Sequence, residues 1–283
     1  MTEYCYLNGS ILPLSEAKVS VLDIGMLRGY GVYDGITALG ENIFRFKEHW
    51  ERFVNGAHAL SLNIPITEER CEKVIKELLG KHGFSRSIIR LVLTGGSTIA
   101  GIEYDFSSPT FYILIEKWEP LPKEIYEKGA KLLTYDFQRD WPEVKTINYI
   151  RGVNLQNWRK EEGALEILFI HDGEVLECAT SNIFIVKDGK IITPGERVLH
   201  GITRKVAIEL MKDKYEIEER IVELSELKTA DEVFLTSSFK DIVPITKIDD
   251  FAVAHASQSQ GHPGTIGPIT QELMTEFAKV LNS

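Results

Sequence analysis

Glu166-Ile167-Leu168-Phe169-Ile170-His171, then Asp172-Gly173, then Glu174 to Val186, then Asp188-Gly189, then Lys190-Ile191-Ile192-Thr193 run on without a break. Three runs rich in β-branched residues are joined by two Asp-Gly pairs, and Asp-Gly supplies the positive-φ positions of a tight hairpin turn. The stretch predicts an antiparallel meander. A row of parallel strand-helix-strand units would need a helix between each pair of runs, and none fits here.

Working outward, Asn8-Gly9 between Tyr4–Leu7 and Ser10–Leu12 predicts another hairpin. Lys18 to Val21 continues in alternation, and Gly31 to Ala38 reads as a strand turned by Glu41-Asn42 into Ile43–Phe46. Lys47 to Leu60 carries Trp50, Phe53, Val54, Ala57 and Leu60 at helical spacing. Thr67 caps a second helix with Glu68 and Glu69 in its first turn and Gly80 near its end. Ser87–Leu93 and Pro109–Trp118 are β-rich. The prolines of Glu119-Pro120-Leu121-Pro122 break helix and sheet alike and mark a linker. Beyond it come a strand at Gly129–Phe137, a helix at Tyr149–Glu162, helices at Thr203–Lys212 and Ile269–Leu281, and a strand at Glu232–Thr236. Residues 255–267, rich in Gly, Ser, Gln and His, read as a loop. The fold expected is α+β, mixed and mostly antiparallel. A small domain spans 1–118, a linker 119–124 and a larger domain 125–283.

Composition removes several functions. Lys plus Arg number 32 and Asp plus Glu 42, for a net charge of −10, and no basic run stands out. Such a chain repels phosphodiester backbones, so nucleic acid is not the expected partner. Cys5, Cys71 and Cys178 stand far apart, which excludes a disulfide framework and suits a reducing cytoplasm. There is no secretory leader pattern and no membrane-length apolar run. A cytoplasmic protein without membrane partners is expected. His255 and His262 share a loop but lack a neighbour at ligand spacing, so no metal is expected. Gly29, Gly31 and Gly35 miss the dinucleotide fingerprint by one position and lead into no helix.

Some residues remain for chemistry. Lys145, between a strand and a helix and beside Val144 and Ile147, reads either as a surface lysine or as a desolvated amine able to form a Schiff base. Glu177 is one of the few acids inside an apolar run: either an outward strand residue or a buried acid facing a ring nitrogen. Gly201-Ile202-Thr203 opens a helix whose free N–H groups suit a phosphate, and Thr236-Ser237-Ser238 offers hydroxyls. Arg52 can add a cation.

In this order the residues resemble the fold-type IV pyridoxal-phosphate enzymes, a family that includes branched-chain aminotransferases, D-amino-acid aminotransferases and aminodeoxychorismate lyase. The motifs are Tyr33-Asp34-Gly35, Phe46-x-x-His49-x-x-Arg52, Lys145-x-x-Asn148-Tyr149, Glu177-x-x-Thr180-Ser181-Asn182-x-Phe184, Leu199 to Arg204, and Ser237-Ser238 with Ile242-x-Pro244. The resemblance implies a small antiparallel α/β domain, a linker and a larger pseudo-barrel domain, with the active site between them at a homodimer interface. It implies pyridoxal 5'-phosphate bound to Lys145, with Lys145 then moving the proton between substrate and cofactor. It implies Glu177 on the ring nitrogen and Tyr149 on the ring hydroxyl. Arg52, Ile202, Thr203, Ser237 and Ser238 would surround the phosphate, Leu199 the ring face, and Asn182 the turn near Glu177. Tyr33, Thr180 and Ser181 would border the substrate.

Within the family, D-specific enzymes seat the substrate carboxylate with an arginine and a histidine on a loop after a strand. That loop here, Thr94 to Ile102, has neither. The branched-chain pattern has a tyrosine where this chain has Arg28. Arg28, reaching in from the partner subunit, and Arg90 are therefore expected to replace the missing loop pair, since a guanidinium binds a carboxylate bidentately. The bland alternative is an ion pair with a carboxylate such as Asp34 or Glu103. The expected activity is transfer of an amino group from a D-amino acid to 2-oxoglutarate or pyruvate. The alternatives are an L-branched-chain aminotransferase, aminodeoxychorismate lyase, an (R)-amine transaminase, or a non-catalytic binding protein.

Overall fold

The computed structural model describes residues 3–253 and 265–282, so the 255–267 loop expectation, with His255 and His262, lies mostly outside the described residues. The chain divides into two units. One comprises residues up to Glu119 together with Val144–Asn148, and the other Pro120–Glu143 and Tyr149 onward. Continuous domains were expected; the lysine-bearing segment instead packs with the first unit. No helix among the described residues is long and apolar enough to cross a membrane.

The first unit holds β1 (Tyr4–Leu7), β2 (Ser10–Pro13), α1 (Ile24–Arg28), β3 (Gly31–Leu39), β4 (Asn42–Ile43), α2 (Phe46–Ala59), α3 (Glu68–His82), β5 (Arg86–Thr94), β6 (Thr98–Ala100), β7 (Glu103–Tyr104) and β8 (Thr110–Lys117). Six strands form one antiparallel sheet in the order β2-β1-β8-β5-β3-β4. Asn8 and Gly9, at φ 42° and 103°, close the first hairpin as their residue types require. Helix α2 buries Phe46, Trp50, Phe53 and Ala57, a stripe of period 3.6, and α3 buries Cys71, Val74, Ile75, Leu78 and Leu79. These stripes cover the sheet face formed by Ile36, Ile89, Leu91, Phe111 and Ile113. Directly paired residues project to the same side of a sheet. The opposite face therefore carries Tyr33 and Gly35 of β3, Val92 and Arg90 of β5, and Tyr112 of β8.

Strand β4 pairs only with the last two residues of β3, leaving the start of that edge open. Val144–Asn148 takes the place: Tyr33 donates its N–H to the Lys145 carbonyl at 2.9 Å, Ile147 donates to Gly31 at 3.1 Å, and Val32 bridges Thr146. Val144 anchors the segment in the first core. Two expectations are corrected here. Lys18–Val21 forms no strand, and α3 runs past Gly80 to His82, where Gly83 in the left-handed region ends it.

The second unit holds α4 (Lys123–Lys128), β9 (Ala130–Asp136), α5 (Ile150–Asn154), α6 (Gln156–Glu161), β10 (Glu166–His171), β11 (Glu174–Cys178), β12 (Asn182–Lys187), β13 (Lys190–Pro194), α7 (Ile202–Met211), β14 (Ile217–Arg220), β15 (Val222–Glu223), α8 (Leu224–Lys228), β16 (Glu232–Ser237), β17 (Asp241–Ile248), β18 (Phe251–Ala252) and α9 (Pro268–Leu281). Its strands build a nearly closed pseudo-barrel, ordered β14-β13-β12-β16-β17-β9-β10-β11-β15, with β18 beside β17. Most pairs are antiparallel; β9 runs parallel to β10 and β17, and β13 to β14. Leu132, Leu168, Ile183, Ile185, Leu235 and Val243 belong to its core.

The run Glu174–Val186 is two strands, not one. Cys178 donates its N–H to the Ser181 carbonyl at 2.8 Å, which folds Ala179-Thr180-Ser181 into a turn. The expected helix at Tyr149–Glu162 is likewise split at Leu155 into α5 and α6.

Candidate active site

On the first unit, edge pairing with β3 fixes the backbone of Lys145, and its amine lies over the Tyr33 ring, 4.5 Å from the centroid. Arg90, opposite Gly35, stands on the same sheet face as Tyr33. Beneath β3, Asp34 is fully buried. It accepts from Arg52 Nε at 2.8 Å, Arg52 Nη2 at 2.8 Å and His49 Nδ1 at 2.7 Å. Burial alone would raise the Asp34 carboxyl, but the Arg52 and His49 charges and hydrogen bonds outweigh it and hold the carboxyl well below the ordinary range. His49 is pushed down by burial, with the charges of Arg52 and Lys145 adding to the effect against the pull of Asp34. Its Nδ1–H is the donor, so Asp34 ties Arg52 and His49 of one helix to strand β3.

The two substrate arginines differ. Arg90 is one-third exposed and makes a bidentate pair with Glu116, Nε to Oε1 at 2.8 Å and Nη2 to Oε2 at 3.0 Å. The carboxylate partner is thus neither Asp34 nor Glu103. Arg28 ends α1 at an exposed position and donates to the Leu27 carbonyl at 2.8 Å. The loop after β5 contains the short hairpin β6-β7.

On the second unit, Glu177 lies buried on β11. Arg139 binds its Oε1 through Nε at 2.8 Å and Nη2 at 2.6 Å, and the Leu199 N–H donates to Oε2 at 3.0 Å. Arg139 was not foreseen; a charged residue in an irregular segment gives no periodic signal. Asn182 donates Nδ2 to the Leu199 carbonyl at 2.6 Å, and so shares the ordering of the Leu199 loop with Glu177. Tyr149 flanks the start of α5.

The hydroxyls of Thr180 and Ser181, two residues expected beside the substrate, donate to Glu166 at 2.6 and 2.7 Å. Glu166 is buried, and Lys240 joins the cluster by donating to Glu166 and to Thr180 Oγ1. Burial raises the Glu166 carboxyl, but Lys240 and the two hydroxyls overcome this and keep it below the ordinary range. Glu166 and Lys240 were missed, although Glu166 opens an apolar run much as Glu177 interrupts one.

Helix α7 begins at Ile202 with Gly201 as its N-cap and no side chain capping its amides. A Cβ on Gly201 would fall 2.2 Å from Asn182 Oδ1, so only glycine permits this approach. Asn182 pairs across the sheet with Thr236, which is 2% exposed and whose Oγ1 has no hydrogen-bond partner among the described residues. Thr203 is buried in the first turn of α7. Ser237 Oγ accepts from the Phe239 N–H at 3.3 Å. Uncapped helix amides and an orphaned buried hydroxyl suit a phosphate, and an amine held on an ordered edge suits a carbonyl. Pyridoxal phosphate carries both groups, and the chemistry of these residues, taken on each unit by itself, fits it.

The fold and these residues define the pyridoxal-phosphate class of enzyme. Residues 31–248 match the family model described as amino-transferase class IV. The chain belongs to the class IV aminotransferases, and its cofactor is pyridoxal 5'-phosphate. Membership implies amino-acid and 2-oxo-acid substrates. The chain is 34% identical over 285 residues to a Methanocaldococcus jannaschii protein provisionally named a branched-chain-amino-acid aminotransferase, covering 97% of this chain and 95% of that one. It is 31% identical over 287 residues to a D-alanine aminotransferase of Staphylococcus haemolyticus, with 98% of both chains covered. Its structure matches that of a branched-chain aminotransferase from the archaeon Thermoproteus uzoniensis, solved with norvaline. The TM-score is 0.85 at 25% identity, covering 100% of this chain and 96% of that one.

Proposed function

We propose that the protein transfers the amino group of a D-amino acid to 2-oxoglutarate or pyruvate. The observation that carries this reading is the place of Arg90. It shares a sheet face with Tyr33, over whose ring the Lys145 amine lies, while the loop from Thr94 to Ile102 offers no cation. A guanidinium on the lysine's own sheet face is suited to the substrate α-carboxylate.

Each residue then has a task. Lys145 Nζ would hold the cofactor and would serve as the base that takes the substrate's α-proton and gives it back as the amino group moves. When bound, pyridoxal phosphate supplies the aldehyde and the electron-accepting ring. Glu177, oriented by Arg139 and the Leu199 amide, would hold a proton on the ring nitrogen. Tyr149 would donate to the ring hydroxyl oxygen, and Leu199 would cover the ring. Arg52, oriented by Asp34, would neutralise phosphate charge, and the amides of Ile202 and Thr203 and the hydroxyls of Ser237 and Ser238 would donate to its oxygens. Arg90 exchanges Glu116 for the substrate carboxylate, and Arg28 of a second copy in a homodimer adds the other guanidinium.

The similarity to the Thermoproteus uzoniensis branched-chain enzyme favours a second reading, in which an L-branched-chain amino acid is the donor. Arg90→Ala separates the two. Under the first reading, KM for D-alanine and D-glutamate rises by roughly 10- to 100-fold, as expected for loss of a charge-assisted pair. Unchanged KM for D-amino acids in this variant would refute the role of Arg90.

A further inference from the structure

Asp23 is 1% exposed, and among the described residues its hydrogen bonds are to uncharged groups. Oδ1 accepts from the Gly25 N–H at 2.7 Å and so caps α1, the single turn that ends in Arg28. Oδ2 accepts from Thr94 Oγ1 at 2.9 Å, at the end of β5. Thr94 Oγ1 in turn accepts from the Gly96 N–H at 3.2 Å, in the loop that lacks any cation. Backbone bonds run in parallel: Ile24 N–H to Gly96 at 2.8 Å and Thr98 N–H to Leu22 at 2.9 Å. The contact is tight, since a Cβ on Gly25 would stand 2.5 Å from Thr94 Cγ2. A buried carboxylate without a cation in contact is costly to keep. Here it joins the Arg28 turn to the strand that bears Arg90.

The joint ends on the sheet face of Arg90, since Arg90, Val92 and Thr94 alternate along β5 to one side. Tyr112 shares the sheet face of Arg90 and Tyr33. Its hydroxyl is pushed up by burial and by the negative charge of Asp23, and drawn down by Arg90.

We propose that Asp23 and Thr94 are positioning residues for substrate selection: their buried hydrogen bond sets the direction from which Arg28 approaches a substrate carboxylate in the second copy's site. This deepens the D-amino-acid reading and rests on it. Neither residue touches substrate. The joint replaces, by orientation of a neighbouring turn, the cations that the 94–102 loop lacks.

The test is Thr94→Val in the cofactor-loaded protein, with Thr94→Ser and Arg28→Ala beside it. Valine keeps the shape and the methyl packed on Gly25 but removes the hydroxyl. KM for D-glutamate and D-alanine is expected to rise roughly five- to tenfold with kcat within about twofold, the loss of one buried hydrogen bond. Cofactor loading should hold while Tm falls by only a few degrees, because Asp23 loses one donor, and Thr94→Ser should restore both KM and Tm. A merely structural joint would lower kcat, loading and Tm together, which overturns the proposal, as does an unchanged KM in Thr94→Val when Arg28→Ala raises it. If Arg28→Ala leaves KM unchanged, the Arg28 reading itself fails, and the proposal with it.

Discussion

Asp34 and Arg52 form a bidentate pair inside the first unit, with both guanidinium contacts at 2.8 Å and the carboxylate fully buried. The pair joins a strand to a helix and fixes one guanidinium in one orientation. Replacing Asp34 by Asn leaves Arg52 partly unpaired and is expected to cost about 3–5 kcal/mol of stability at pH 7. Cofactor affinity should fall with it, measured by equilibrium dialysis. The pH dependence has a definite sign. Unfolded aspartate titrates at ~3.9, and the folded Asp34 carboxyl lies well below that. Its stabilisation is therefore complete above roughly pH 5 and is lost as pH falls. Urea titrations of Asp34→Asn should show a correspondingly flatter acid limb than those of the parent.

Glu166 and Lys240 make the comparable pair on the second unit. Lys240→Met strands a buried carboxylate and should destabilise the fold by about 3–5 kcal/mol at neutral pH. The deficit should shrink as pH falls, first as the variant's stranded carboxyl takes up a proton and then below ~4.3, the unfolded glutamate value, as the native pair begins to lose its own advantage. A deficit that does not vary with pH would argue that Lys240 acts through packing of its stem.

Glu177 is held by Arg139 and a backbone amide, which together engage both carboxylate oxygens. Glu177→Gln keeps the shape and removes the charge. kcat is expected to fall by roughly 100-fold with KM little changed, as measured by steady-state transamination. Equal kcat would remove Glu177 from the chemistry.

Gly201→Ala tests the phosphate end. The added methyl would meet Asn182 Oδ1 and push the start of α7 away from the Thr236 side of the sheet. Cofactor affinity should weaken about tenfold, or ~1.4 kcal/mol, in the same dialysis measurement.

The sequence showed much of this and missed particular parts for physical reasons. The meander was readable because Asp172-Gly173 and Asp188-Gly189 impose hairpin turns by backbone preference alone, and φ is positive at all four. α2 was readable because Trp50, Phe53 and Ala57 recur on one face. The break at Ala179–Ser181 was not, because it depends on Glu166, more than ten residues away, drawing both hydroxyls out of the strand. Lys145 was found as a residue but its place on the edge of β3 was not, because that pairing is non-local and has no hydrophobic period. Arg139 escaped notice for the same reason, while Glu116 as the partner of Arg90 required knowing which strands are neighbours.

The most direct test of D-amino-acid transfer is the half-reaction of the cofactor-loaded protein with single amino acids, followed by the visible absorption of the lysine-bound cofactor. D-alanine, D-glutamate, L-leucine and L-glutamate are added separately, with no acceptor present. Rapid loss of the band is predicted with both D-amino acids, and conversion with L-leucine slower by at least about 100-fold, or roughly 2.7 kcal/mol in the barrier. Rapid conversion with L-leucine and none with either D-amino acid would contradict it.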